Sequence, residues 1–227
     1  MKSLLAMHWQ YAAVAESGFS QEAAAYTNPG MQANLVLRVF FGILAALCCL
    51  VPMKLLWRNG EFAAAIFCLD VIILNVFYTV NALIWQDENV GSWWPGYGWC
   101  DLQVYLIYAL DTLYSACVFE IMRNLAAKVA LSRVTGLTSG EKRRQTVISA
   151  LVLFPIPLFQ VAFTWFILSQ RYSIAPLIGC LSIYDSSWPY LVFYVLPAPL
   201  FTVAGVIAAG KPLPAASIPA RKRVVYS

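Results

Sequence analysis

The sequence predicts an all-α fold, a polytopic bundle of transmembrane helices, and three observations carry that reading. Of the 227 residues, 61% are hydrophobic and only 11% are charged, where a soluble domain carries about a quarter charged residues. Five stretches, roughly 35–57, 62–85, 101–130, 147–169 and 189–210, are long and apolar. Each reaches the ~20 residues that cover a ~30 Å hydrocarbon core as a helix. These runs also lack the strict alternation of barrel strands, and an isolated strand would leave backbone groups unpaired in lipid. The net charge of +4 forms no basic stripe interleaved with polar readout groups, so no nucleic-acid partner is expected.

Residues 1–33 form an N-terminal segment outside the bundle, 34–210 the bundle, and 211–227 a tail expected to be disordered. The segment "MKSLLAMHWQYAAVAESG" has the lysine, apolar run and small residues of a signal peptide, but His8 and Gln10 interrupt its apolar part. A surface segment ending at the turn signal "NPG" is the other reading. Basic residues alternate between sides: Lys54 and Arg58 after the first span, none in 86–100, then Arg123, Lys128, Arg133 and Lys142, Arg143, Arg144. The 170–188 loop has Arg171 alone, and the tail has Lys211, Arg221, Lys222 and Arg223. The positive-inside rule puts the N-terminus outside and the C-terminus in the cytoplasm.

The second and third spans are joined by "IWQDENVGSWWPGYGWCDL", which holds four of the eight tryptophans. Trp85, Trp93, Trp94 and Trp99 suit the headgroup level. Their crowding in one glycine-containing loop suggests a folded cap over a ligand entrance; an ordinary aromatic belt is the alternative. Of six cysteines, Cys48, Cys49, Cys68 and Cys117 fall inside spans and read as small buried apolar residues. Cys100 and Cys180 alone fall outside, where an oxidising compartment makes them a disulfide.

Asp70, Tyr78, Asn81 and Trp85 fall within roughly an 80° arc of the second helix. Asp101, Tyr105, Tyr108, Thr112 and Ser115 share a similar arc of the third, with Asp111 at its edge. Two such faces imply a polar lining, either of a ligand cavity opening outward or of interhelical hydrogen bonds that hold the bundle. "LFPIPLF" and "VLPAPLF" in the fourth and fifth helices can kink them and shape a cavity, though proline is common in membrane helices. At the inner end, Glu120 and Arg123 are three apart and can pair. "EKRR", 141–144, is either a contact for a cytosolic partner or a topology signal. No nucleophile–base pair, metal-ligand spacing or phosphate loop occurs, so neither an enzyme nor a bound metal or cofactor is expected.

The loop "NALIWQDENVGSWWPGYGWCDL" resembles the corresponding region of the fungal lipopeptide mating-pheromone receptors, the a-factor type within the class D seven-helix G-protein-coupled receptors. The matching positions are Ile84, Trp85, Asp87, Glu88, Trp94, Gly96, Trp99, Cys100 and Asp101. "IMRNLA" resembles the family's inner end of helix 3, and "FPIPLFQ…SQRYSIAPLIGC…DSSW" its helix 4, second outer loop and approach to helix 5. The resemblance implies a plasma-membrane receptor for a farnesylated peptide pheromone, coupled to a heterotrimeric G protein and open to receptor oligomers. The outer residues Asp70, Tyr78, Asn81, Trp85, Trp94, Trp99, Asp101, Tyr105, Tyr108 and Asp111 become candidates for ligand contact, and Arg123, Lys142, Arg143 and Arg144 for the G-protein side. Five spans stand against the family's seven, so one expectation is a truncated form that does not signal. A small transporter or channel, and a non-signalling partner of intact receptors, are the alternatives.

Overall fold

A computed structural model describes residues 29–87, 89–131, 139–185 and 187–210. The expectations about the signal segment and the tail lie outside these residues. Among the described residues, five helical spans are long and apolar enough to cross a membrane: Gly30–Asn59, Phe62–Ile84, Trp99–Lys128, Ser139–Ile167 and Trp188–Gly210. All five are the spans read from hydropathy, with shifted ends.

Helix α1 (Pro29–Asn59) starts earlier than residue 35, because proline's fixed φ suits the first helical position. It ends in a Schellman turn: Gly60 has φ +81°, its N–H donates to the Trp57 carbonyl (3.1 Å), and the Glu61 N–H reaches the Leu56 carbonyl (2.9 Å). Helix α2 (Phe62–Ile84) packs against α1 at Gly42, where an added Cβ would collide with the Thr79 hydroxyl. Most of α1's other large apolar side chains, Phe40, Phe41 and Leu47 among them, are exposed where lipid would lie.

Helix α3 (Trp99–Leu131) is the central post. Ala63 of α2, Ala116 and Cys117 of α3 and Leu153 form a buried cluster with Phe62, Phe67 and Phe154 around it. Small residues let the helix backbones approach, which replaces the hydrophobic drive that lipid cannot supply. Cys68 and Cys117 are buried as expected of small apolar residues, but Cys48 is exposed on the lipid side of α1.

The fourth span is two helices, α4 (Ser139–Leu153) and α5 (Pro155–Ile167), interrupted at Phe154. Pro155 has no N–H to continue the ladder. Helix α4 begins well before residue 147, so Lys142, Arg143 and Arg144 lie on a helix and not in the expected 131–146 loop. Hydropathy registers the membrane part of a helix and not its polar extension.

The stretch read as the 170–188 loop is largely a β-hairpin. Strands β1 (Leu168–Ala175) and β2 (Gly179–Tyr184) pair antiparallel, with Ser173 opposite Leu181 and Ala175 opposite Gly179. The fifth span starts with one helical turn (Trp188–Tyr190), widens into a π-helical segment (Leu191–Val195) and continues as α6 (Pro197–Gly210). In the wide turn the Leu196 N–H donates to the Leu191 carbonyl five residues back (3.0 Å).

Candidate functional site

The end of the bundle expected to face outward is closed by the tryptophan loop and the hairpin, locked to each other. Cys100, the second residue of α3, is joined to Cys180 of β2, with Cα atoms 5.2 Å apart, inside the range that bridged cysteines adopt. Beside the bridge, the Leu177 N–H at the hairpin tip donates to the Trp85 carbonyl (2.8 Å). Asn81 supplies a third tie. Its Nδ2 donates to the Ile178 carbonyl (2.9 Å) and to Gln103 Oε1 (3.0 Å). Its Oδ1 accepts from Trp99 Nε1 (2.9 Å) and Gln103 Nε2 (2.8 Å). Two donors and two acceptor positions exhaust an amide, and Asn81 is buried.

The hairpin can come this close only because of its tip conformation. Gly179 has φ +84°, and a Cβ there would fall inside the Asn81 side chain. Gly96 plays the same part in the loop, with φ +73° and Cys100 Sγ where its Cβ would be.

Above this lock the tryptophans separate. Trp85 is fully buried, stacks on Trp94 with ring centroids 6.3 Å apart, and donates its indole N–H to the Trp94 carbonyl (3.1 Å). Trp99 packs edge-on against Phe77 (5.4 Å). Trp93 donates to Asp87 Oδ1 (2.7 Å). Trp94 remains 44% exposed. With Val90, Trp93, Pro95, Tyr97, Tyr172 and Ile174 it lines an open pocket of about 430 Å³.

The wall of that pocket is tied down by polar contacts. Arg171 of β1 grips Asp101 with two hydrogen bonds (2.6 and 2.7 Å), and its guanidinium lies 5.7 Å from the Tyr97 and Tyr172 ring centres. The Asp101 carboxylate holds the Arg171 guanidinium above its ordinary range. The Tyr172 hydroxyl donates to the Pro95 carbonyl (2.9 Å).

Deeper in, Tyr108 of α3 shares a hydrogen bond with Tyr190 (2.9 Å), and both rings pack with Tyr184 and Tyr194. Tyr105 is half-buried on the same helix, while Tyr78 and Asp111 are exposed, and Asp111 acts electrostatically on both Tyr78 and Tyr108. Asp70 is buried, and neither carboxyl oxygen has a hydrogen-bond partner among the described residues. Asp111 acts on it electrostatically.

Of the candidate ligand residues, the structure gathers Asn81, Trp85 and Trp99 into the lock and Asp101 into the pocket wall. Tyr105 and Tyr108 lie below the lock, Trp94 lines the pocket, and Asp70 and Tyr78 lie outside the lock but within electrostatic reach of Asp111. Gln103, Gln160, Arg171, Tyr184, Tyr190 and Tyr194 were missed. Gln160 was the most legible of these, because an amide inside a proline-rich apolar helix needs a partner. Its Nε2 donates to Thr112 Oγ1 (2.9 Å) and to the Phe193 carbonyl (2.8 Å). Pro197 lies four residues beyond Phe193 and has no N–H to offer that carbonyl, so Gln160 satisfies it. Replacing Gln160 by Leu is expected to cost about 1–3 kcal/mol by orphaning that buried acceptor, read as a lower melting temperature of purified protein in detergent.

At the opposite end, Glu120 is fully buried and accepts from Ser149 Oγ of α4 (2.6 Å) and from Arg123. Arg123 is 38% exposed on its side chain. Lys128 pairs with Glu61. Lys142, Arg143 and Arg144 are exposed nearby at the start of α4.

Fold and cap together define a multi-pass helical membrane protein with a braced, pocketed cap at one end of the bundle. The model of the family described as Pheromone A receptor matches residues 37–217, and the chain belongs to that family. Over 163 residues it is 26% identical to the pheromone a factor receptor of Saccharomyces cerevisiae, covering 70% of this chain and 34% of that one. Similarity at 23% identity extends to the pheromone B beta 1 receptor of Schizophyllum commune (70% of this chain, 29% of the relative). Pheromone receptor 1 of Mycosarcoma maydis is also 23% identical (74% and 46%). The chain thus spans less than half the length of each of these relatives. No solved structure matches.

Proposed function

We propose that the chain receives a prenylated peptide pheromone at its outer face and, in the plasma membrane, passes that event to a heterotrimeric G protein at its inner face. The observation that carries this reading is the open aromatic pocket built on a covalently braced cap. Trp94, Tyr97 and Tyr172 offer large apolar surfaces at the level where a membrane-associated lipid tail would meet the protein, and the Arg171–Asp101 pair keeps the wall in shape. Asn81, Trp85 and Trp99 hold the cap and do not touch the ligand, since their polar atoms are already used. The tyrosine cluster around Tyr108 is the candidate for peptide contact. The basic residues gathered at the far end support an outward cap by the positive-inside rule. Arg123, partly exposed beside buried Glu120, is the candidate G-protein contact.

The test compares prenylated and unprenylated forms of one pheromone peptide on purified receptor. Each buried methylene is worth about 0.8 kcal/mol, so even three of them give roughly 50-fold tighter binding of the prenylated form. Trp94→Ala is expected to remove most of that difference while leaving the unprenylated peptide's affinity unchanged. Equal binding of both forms to the unaltered protein would reject a lipid-reading pocket.

A further inference from the structure

We propose that the inner end carries a composite binding surface for acidic phospholipid headgroups, made by two segments far apart in sequence. One segment is the end of α1. Lys54 and Arg58 are four apart and Trp57 three from Lys54, so all three share one face, and all are exposed. The other is the first turn of α4, with Lys142, Arg143 and Arg144 exposed in succession.

The Schellman turn joins the two. Gly60 carries no side chain, and the Lys142 Cδ lies 3.7 Å from where its Cβ would be, so the lysine stem crosses the α1–α2 turn. Glu61, the acid at that turn, is already held by Lys128. Glu141, exposed beside Lys142, is the remaining acid of these two segments, so the surface presents Lys54, Arg58, Lys142, Arg143 and Arg144 against a single carboxylate.

Two properties favour lipid as the occupant. Trp57, 61% exposed beside Arg58, is the residue type that settles at the headgroup level. Lysine and arginine stems can lie along the apolar helix ends while their charges reach the phosphates. Arg123, on α3, pairs with Glu120 and is left to the protein partner of the preceding section.

The experiment needs no pheromone, so its outcome is independent of the proposed receptor function. The full chain is reconstituted in nanodiscs of phosphatidylcholine with about one fifth phosphatidylserine, and retained lipid is quantified by mass spectrometry after stepwise delipidation. A basic residue near an anionic surface contributes about 1 kcal/mol, roughly fivefold in occupancy. Phosphatidylserine is expected to be retained several-fold over its share, less so at high salt. The K142Q/R143Q/R144Q variant should bring the ratio close to one, K54Q/R58Q should lower it part of the way, and K142R/R143K/R144K should keep it. An unchanged melting temperature confirms that the variants fold. Undiminished retention in both Gln variants would overturn the proposal.

Discussion

Changing Cys100 to Ser, or Cys180 to Ser, is expected to remove most of the protein from the cell surface. Breaking a native bridge costs about 2–5 kcal/mol, and the closed loop here is long, with a sequence separation of 80. The bridge is also the one covalent side-chain cross-link between α3 and the hairpin among the described residues. Without it the hairpin relies on noncovalent ties: Asn81, the backbone bond between Leu177 and Trp85, the Arg171–Asp101 pair, and the Tyr172 and Tyr184 hydroxyls, which donate to the Pro95 and Val104 carbonyls. Surface biotinylation against total protein measures the loss. The double variant should be no worse than either single one, since both break the same bond. In unaltered surface protein neither sulfur should alkylate before reduction. Free thiols at both positions in folded surface protein would show that the cap is held another way.

The second large effect is expected at the amide hub. Asn81→Ala leaves the Trp99 indole N–H, the Gln103 amide and the Ile178 carbonyl without their shared partner. Each buried orphan costs about 1–3 kcal/mol, and the three together are expected to lower stability by roughly 3–5 kcal/mol after relaxation. Gly179→Ala should approach the same loss by another route: the residue must keep a left-handed backbone, at about 1–2 kcal/mol for a residue with a Cβ, and it displaces Asn81. The two changes share one contact, so the double variant should be clearly less harmful than the sum of the singles. Additive losses in melting temperature would mean that the glycine and the asparagine act separately.

The spans were legible because length and apolarity alone decide whether a helix fits a bilayer. Their ends were not. Pro29 starts α1 and the polar turn at Lys142–Arg144 starts α4, and neither fact leaves a hydropathy signal. The hairpin was hidden because Leu168–Ala175 and Gly179–Tyr184 are polar enough to read as loop, and pairing depends on contacts far along the chain. Helical arcs put Asn81 and Trp85 on one face of the second span. They could not say whether such a face meets a ligand or another part of the protein; Asn81 turns inward to Gln103 and the hairpin, while Asp111 on the edge of the neighbouring arc is exposed. Arg171 was counted only as a charge on the outer side, yet its lone position opposite Asp101 was the one clue to the pair that fixes the pocket wall.

The distance along the chain between the bridged sulfurs has a consequence for biosynthesis. Cys180 follows Cys100 by 80 residues and lies beyond the whole fourth span. At about 5–20 residues per second, a ribosome delivers the second sulfur roughly 4–16 s after the first. During that interval the new third span has a reduced thiol at its outer end and no cap. The bond can form only when the fourth span has been threaded in the sense opposite to the third, because any other insertion leaves the two sulfurs on different sides of the bilayer. Its closure is thus a proofreading event, reporting that two consecutive helices were inserted the right way round before the fifth is fitted.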